Sequence, residues 1–240
     1  MKAIILAAGR GSRMGESTQD KPKCMVEVRG RTLLDWQLDA CRQAGITDIG
    51  VVTGYRKEAF TSLSLSLFEN PRWAQTNMVS SLICAESWLA GDDCIVSYAD
   101  IFYEPGAGGR LIDAASPSAV LYDVHWQKLW EARFGDIFAD AETFRIDAFG
   151  YITEIGNRTH TLEDIQGQYM GLLRFSPAGW KEIANFLQSL SAAEIDKLSM
   201  TALLQKLITH GVKIKGMPYD GLWGEVDTVS DQNLYKNWTL

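Results

Sequence analysis

An apolar run from Lys2 to Leu6 passes without a break into Ala7-Ala8-Gly9-Arg10-Gly11-Ser12-Arg13. A buried strand that ends on glycines narrows the folds open to the chain. With no Cβ atoms in the way, Gly9 and Gly11 let main-chain N–H groups turn toward an anion, so the turn is suited to cradle a phosphate. The segments that follow alternate apolar, β-branched runs with stretches of helical period. That alternation predicts a parallel sheet covered by helices.

Thr32 is placed to cap a helix whose Leu34, Leu38 and Cys41 share one face and which stops at Gly45. Asp48 to Thr53 reads as a second strand ending at Gly54, a third is expected around Leu65 to Phe68, and Asn77 to Leu89 reads as one helix capped by Asn77. Cys94 to Tyr98 is a fourth strand, leading to Asp100. Beyond Ser118 the rhythm changes. Ala119 to Val124 is strand-like, Phe144 to Asp147 and Ile152 to Ile155 flank a Phe149-Gly150 turn, and Tyr169 to Phe175 reads as another strand. Helices are expected from Pro177 and from Met200, the latter ending at Gly211. Lys213 to Met217 and Leu222 to Val226 are expected to return to the sheet before a short final helix. The whole of 1–240 is expected to form one domain, with an acceptor-binding subregion over about 118–175.

Acids and bases are interspersed and the formal charge is −7, so no basic stripe is present to neutralise a nucleic-acid backbone. Cys24, Cys41, Cys84 and Cys94 lie far apart with no CxxC pair, which suggests neither zinc nor a disulfide framework and fits the reduced cytoplasm. No apolar stretch approaches the ~20 residues that span a bilayer, and the opening AIILAA is too short for a signal peptide. Neither a membrane nor a nucleic acid is an expected partner.

A glycine loop after a first strand is shared by several phosphate-binding folds, and its continuation separates them. A Walker loop needs GK followed by Ser or Thr, whereas Gly15 is followed by Glu16. A dinucleotide fold needs GxGxxG and an acid at the end of the second strand. Here the spacing is GxGxxxG and the second strand runs out in Thr53, Gly54 and Tyr55. The loop instead carries Arg13, and Pro22 extends the chain so that Lys23 can be directed back over the glycines. Solvation at the surface is the ordinary fate of such cations; the glycine loop is what argues for a role in binding phosphate.

The segment LAAGRGSRMGESTQDKPKCMVEVRGRTLLDWQLDACRQAGITDI resembles the nucleotidyltransferase family of sugar-phosphate and phosphocholine transferases. Gly9, Gly11, Arg13, Thr18, Pro22 and Lys23 fall in register with the family pattern LAAGxGSRLxPLTxxxPKxLVEVxGxPLL. Glu16 and Ser17 stand where the family usually has Pro and Leu, which alters loop stiffness and leaves the cations untouched. Later blocks, TNMVSSL, YADIFY, GQYMGL and EVDT, resemble the phosphocholine cytidylyltransferase-like branch.

The resemblance implies an α/β fold: a Rossmann-like mixed, mostly parallel sheet flanked by helices, of the glycosyltransferase-A-like nucleotidyltransferase kind. It implies CTP as donor, Mg²⁺ as cofactor, and Asp100 and Asp227 as the metal ligands. Hard carboxylate oxygens suit magnesium, and Asp100 lies just beyond a buried strand, where open α/β sheets gather ligands. The rival reading of Asp100 is a turn residue or cap, and that of Asp227 a cap of the last helix with Thr228. The implied reaction is in-line attack by an acceptor oxygen on the α-phosphorus with pyrophosphate leaving. Lys23 is assigned to the α-phosphate and Arg13 to the β- and γ-phosphates. Leu6, Ala7, Ala8, Gly9 and Gly11 on one side, and Gly54 and Tyr55 on the other, are expected to hold the nucleotide. Ser81 is a further candidate.

Trp126 and Trp130 are four apart and share a face if their segment is helical, with Arg133 close by. A phosphocholine-like acceptor would use an aromatic box with a nearby carboxylate, and Tyr122, Asp123, Trp130, Tyr169 and Trp223 could supply one. Trp130 is the preferred ring. Aminoethylphosphonate and phosphorylated amides are the other acceptors the resemblance allows, and for a carboxylate-bearing one Arg133 or Lys197 would be called on. Two rival functions stand: a sugar-1-phosphate nucleotidyltransferase, and a non-catalytic nucleotide-binding regulatory protein. A homodimer is the one assembly considered, and His125, His160 and His210 read as structural.

Overall fold

The structure is a computed structural model that describes residues 1–236. Seven strands form the main sheet: β1 (Lys2–Leu6), β2 (Ile49–Thr53), β3 (Ser66–Glu69), β4 (Cys94–Tyr98), β5 (Ser118–Asp123), β6 (Gln168–Phe175) and β7 (Lys215–Tyr219). Their order across the sheet is β7-β5-β6-β4-β1-β2-β3. All run parallel except β6, which is antiparallel to both neighbours, β4 and β5.

Period-two alternation divides the core into two layers. In β1, Ala3 and Ile5 face the helices Leu33–Gln43 and Pro105–Ile112, while Ile4 and Leu6 face Pro177–Leu187 and Met200–Thr209. Thr32 caps the first of these helices by accepting from the Asp35 N–H, and Ser176 and Ser199 do the same for the last two. Leu6 lies opposite both Val52 and Tyr98, so β1, β2 and β4 finish together at one rim. The glycine loop, the Gly54 turn and Asp100 are thereby delivered side by side, outside the carboxyl ends of parallel strands.

Two expectations are corrected. Asn77 to Leu89 is not one helix: Asn77 does cap Met78–Ile83, but Cys84 and Ala85 tighten into bonds to Ser81 and Leu82 before a second helix, Glu86–Gly91. Leu222 to Val226 does not rejoin the main sheet. Trp223–Glu225 instead pairs antiparallel with Ile101–Tyr103, just after β4, and the Val226 N–H donates to the Asp100 carbonyl at 2.9 Å. The Pro105–Ile112 helix is absent from the sequence reading because its PGAGGRLI composition has poor helix propensity; Gly108 instead permits close approach to Ala44. The residues around the Phe149-Gly150 turn pair in their own ribbon, Glu142–Ile146 with Ile152–Arg158, beside the main sheet. Among the described residues, no helix is long and apolar enough to cross a membrane.

The central position of β1 makes its side chains costly to truncate. Ile5→Ala should destabilise the protein by about 2–5 kcal/mol in chemical denaturation. Phe149→Ala, at a side chain 77% exposed, should leave the midpoint unchanged. Equal effects at the two positions would contradict the layer assignment.

Candidate active site

The glycine loop is held from beneath. Gly11 has φ +68°, a conformation that suits glycine, and the buried Thr18 hydroxyl donates to its carbonyl at 3.0 Å. A Cβ at Gly11 would come within 2.8 Å of the Lys23 side chain, so the missing side chain is what lets the Lys23 stem cross the loop. Lys23 Nζ then reaches Asp100 Oδ2 at 2.8 Å and Asp227 Oδ1 at 2.7 Å. Arg13 Nη2 also donates to Asp227 Oδ1, at 2.7 Å.

Behind this group lies a second cation. The Arg133 side chain is 0% exposed, and its guanidinium binds Glu225 at 2.7 Å, Asp227 at 3.3 Å and Asp231 at 3.0 Å. Burial opposes the Lys23 ammonium, but Asp100 and Asp227 outweigh it and raise its pKa. Burial likewise opposes the Asp227 carboxylate, and Lys23, Arg13 and Arg133 together hold its pKa below the ordinary value. Glu225 is pushed up to about 7 by burial and by the nearby Asp227.

Asp100, Glu225 and Asp227 each offer a carboxylate oxygen, all within 4.8 Å of one another, and can hold a metal ion. Asp100 Oδ1 is buried and makes no hydrogen bond among the described residues. Asp227 is not the cap of the last helix. Thr228 and Asp231 fill that role: Asp231 Oδ2 accepts from the N–H groups of Asp227 and Thr228, and the Asp231 N–H returns a bond to Thr228 Oγ1.

Three cavities meet at Met78. One of about 240 Å³ is lined by Gly9, Gly11, Ser12, Arg13, Lys23 and Asp100. A second, about 150 Å³, lies between Leu6, Ala8 and Gly9 on one side and Trp73, Thr76 and Ser81 on the other. Gly54 and Tyr55 stand behind this second cavity. Tyr55 N–H donates to the Ala8 carbonyl at 2.9 Å, its ring meets Trp73 edge-on, and a Cβ at Gly54 would fall 2.6 Å from Trp73. The third cavity, about 250 Å³, holds Tyr98, Trp130, Tyr169 and Trp223 together with Asp140, Glu142 and Glu225.

Leu6, Ala7, Gly9, Gly11, Arg13, Lys23 and Asp100 thus line one cavity, with Asp227 bonded to its two cations. Trp130 and Tyr169 line the third, whereas Tyr122 packs on Phe144 and Asp123 accepts from Trp223 Nε1 at 2.9 Å. Arg133 is corrected: its side chain is 0% exposed and outside the cavity lining, and each of its three nitrogens donates to a carboxylate, so it fixes Glu225, Asp227 and Asp231 rather than facing an acceptor. Lys197 is corrected too. Its side chain is exposed and lies outside the cavity lining, and its main-chain carbonyl accepts from Asn77 Nδ2 at 3.2 Å. The sequence reading did not single out Trp73, Tyr98, Asp140, Glu142 or Glu225 as site residues.

Stability should carry the signature of Glu225. A carboxyl whose folded pKa is raised binds more protons folded than unfolded, so stability falls as pH rises from the ordinary glutamate value, about 4.3, toward 7. Asp123, Asp140 and Glu142, raised chiefly by burial, act in the same sense; Asp227, whose pKa is lowered, opposes them only in the acid range. With divalent metal chelated, the protein should therefore melt higher near pH 5 than near neutrality. Glu225→Gln should shrink that difference, and an undiminished difference would remove Glu225 from the account.

With this geometry, the chain matches the model of the MobA-like NTP transferase domain over residues 3–191. It is 36% identical to the CTP:phosphoglutamine cytidylyltransferase of Campylobacter jejuni, over 96% of this chain and 97% of that protein. It is 35% identical to the 2-aminoethylphosphonate cytidylyltransferase of Lancefieldella rimae, over 77% of this chain and 71% of that protein. Among solved structures, the CTP:phosphocholine cytidylyltransferase of Streptococcus pneumoniae superposes with a TM-score of 0.78 at 20% identity, covering 98% of this chain and 97% of the other. The fold is the glycosyltransferase-A-like nucleotidyltransferase fold, and the chain belongs to the MobA-like NTP transferase family and is a nucleotidyltransferase.

Proposed function

We propose that the enzyme transfers CMP from CTP to a small phosphorylated or phosphonate acceptor that also carries a cationic nitrogen, releasing pyrophosphate. The observation that carries this reading is the third cavity. Four aromatic rings and three carboxylates line it, with no lysine, arginine or histidine among the lining residues, and it adjoins the phosphate cavity at Met78. Ring faces with carboxylates beside them favour an ammonium group over a hydroxyl-rich sugar. The phosphoglutamine, phosphocholine and 2-aminoethylphosphonate named for the similar proteins each combine a phospho or phosphono group with such a nitrogen.

In this reading residues 118–175 contribute most of the acceptor site within a single domain of 1–240, and the nucleotide occupies the other two cavities. The acceptor oxygen is already ionised, so no general base is required. It forms a bond to the α-phosphorus as the bond from that phosphorus to the β-phosphate bridging oxygen breaks, and pyrophosphate departs. Lys23, whose raised pKa keeps it an ammonium, is assigned to the α-phosphate, and Arg13 to the β- and γ-phosphates. Both neutralise charge as it shifts toward the leaving group.

The three carboxylates suit magnesium: they are hard donors, close together, and Asp100 Oδ1 has no protein partner among the described residues. Asp100, Asp227 and Glu225 are the residues that would hold it, and when bound it supplies positive charge against the phosphate oxygens. Arg133 keeps two of these carboxylates in place from behind. The four cysteines are free thiols, which fits a reaction in the reduced cytoplasm.

Pyrophosphate release measured with each NTP, magnesium and a panel of acceptors tests the reading directly. CTP should be the preferred donor, ammonium-bearing phospho and phosphono compounds should be substrates, and sugar 1-phosphates should be poor. Comparable turnover with sugar 1-phosphates would overturn the acceptor assignment. Lys23→Ala and Arg13→Ala should each cost orders of magnitude in turnover with the fold intact, because the lost charge acts in the transition state.

Trp130→Leu should raise the acceptor's KM about 2-fold to 30-fold and leave that of CTP nearly unchanged. An unmoved acceptor KM would place the acceptor elsewhere.

A further inference from the structure

Asn70 lies beside the cavity that holds Trp73 and Ser81, and is 3% exposed. Its Oδ1 accepts from the main-chain N–H of Arg72 at 3.0 Å. A main-chain N–H can only donate, so this contact fixes which end of the amide is oxygen. The Nδ2 end consequently faces Thr76 Oγ1 and Ser81 Oγ, both at 3.0 Å, and donates to each. Thr76 directs its own proton to the Arg72 carbonyl at 3.0 Å. Ser81 has no such outlet. Its oxygen receives a proton from Asn70, its O–H meets no acceptor among the described residues, and it lines the cavity.

Nearby polar groups are otherwise engaged. The Ala8 carbonyl accepts from Tyr55, and Asn77 turns its amide to Met78 N–H and the Lys197 carbonyl. The Ser81 O–H is therefore free to donate into the pocket, beside the Ala8 carbonyl and the Asn77 amide, which are already engaged.

We infer that Asn70 is a positioning residue that makes Ser81 a hydrogen-bond donor to N3 of cytosine, and that this relay selects CTP against uracil nucleotides. The inference rests on the CTP reading above. In cytosine N3 is an acceptor that takes the Ser81 proton, whereas in uracil N3 carries a proton, which the serine oxygen can accept only with its own O–H left without a partner on desolvation. A pocket built to pair a polar group rejects the partner that cannot pair.

The test compares CTP with 3-deaza-CTP, in which a C–H replaces N3, in the full-length enzyme and in Ser81→Ala. In the wild type the analogue should lower kcat/KM by about 10-fold, and in Ser81→Ala the two nucleotides should be used equally. Asn70→Asp supplies the reverse readout. A carboxylate there accepts from Ser81, turns the serine oxygen into the acceptor that faces the base, and should lower the ratio of CTP to UTP turnover by about 10-fold or more. The acceptor's KM should not move. If Asn70→Asp fails to fold, the analogue comparison decides alone. An equal penalty for 3-deaza-CTP in wild type and Ser81→Ala overturns the relay, while a wild-type protein that turns over no CTP overturns the cytidylyl reading as well.

Discussion

The ion cluster around Asp227 is the constraint on which the rest of the site depends. Lys23 and Arg13 come from the loop after the first strand, Asp100 from the end of β4, Arg133 from the helix Trp126–Phe134, and Asp227 from the stretch after the last short ribbon. Asp227 meets three cations, Lys23 two carboxylates and Arg133 three, so most members keep a partner when one is removed, and Asp227 is the member the others share. The cluster therefore acts as a register pin: if the Trp223–Glu225 ribbon slipped along Ile101–Tyr103, Asp227 would part from two cations at once. Arg133 packs beneath the acids, so the solvent-facing side of the cluster is that of Arg13.

Geometry links that charge to specificity. The three cavities share Met78 as a common wall, so the proposed base, phosphate and acceptor regions adjoin one another. A thioether side chain is unbranched and adaptable, which suits a divider that must fit three different surfaces. On one side of it the walls are glycine, main chain and cations; on the other they are rings and carboxylates. The change in lining matches the proposed change in ligand chemistry, from an anionic triphosphate to an acceptor with a positive end.

Legibility in the sequence followed locality. Gly9, Gly11, Arg13 and Lys23 stand within fifteen positions of one another, and their spacing on a turn after a buried strand expresses the chemistry directly. Asp227 pairs with Arg13 across 214 positions, and nothing local announces that meeting; only the family block EVDT pointed there. Glu225 carries a usable signal, since alternation along Glu225-Val226-Asp227 sets both acids on one side of an extended chain. Arg133 was misread because a cation near a tryptophan looks like a ligand contact until its carboxylate partners, 92 to 98 positions away, are seen. Trp73 sits in a turn after a proline, where periodicity carries no message.

The short ribbon Trp223–Glu225 has a thermodynamic consequence. Trp223 and Glu225 are two apart on one strand and line the same cavity, and Glu225 also belongs to the carboxylate cluster with Asp100 and Asp227. Whatever fills the aromatic cavity and whatever fills the carboxylate cluster therefore both meet Glu225. Their affinities are reciprocally linked: if one occupant changes the free energy of the other, the second changes that of the first by the same factor. A substitution at Glu225 that reshapes the cavity would alter the carboxylate cluster as well, so on this ribbon the two sites cannot be changed independently.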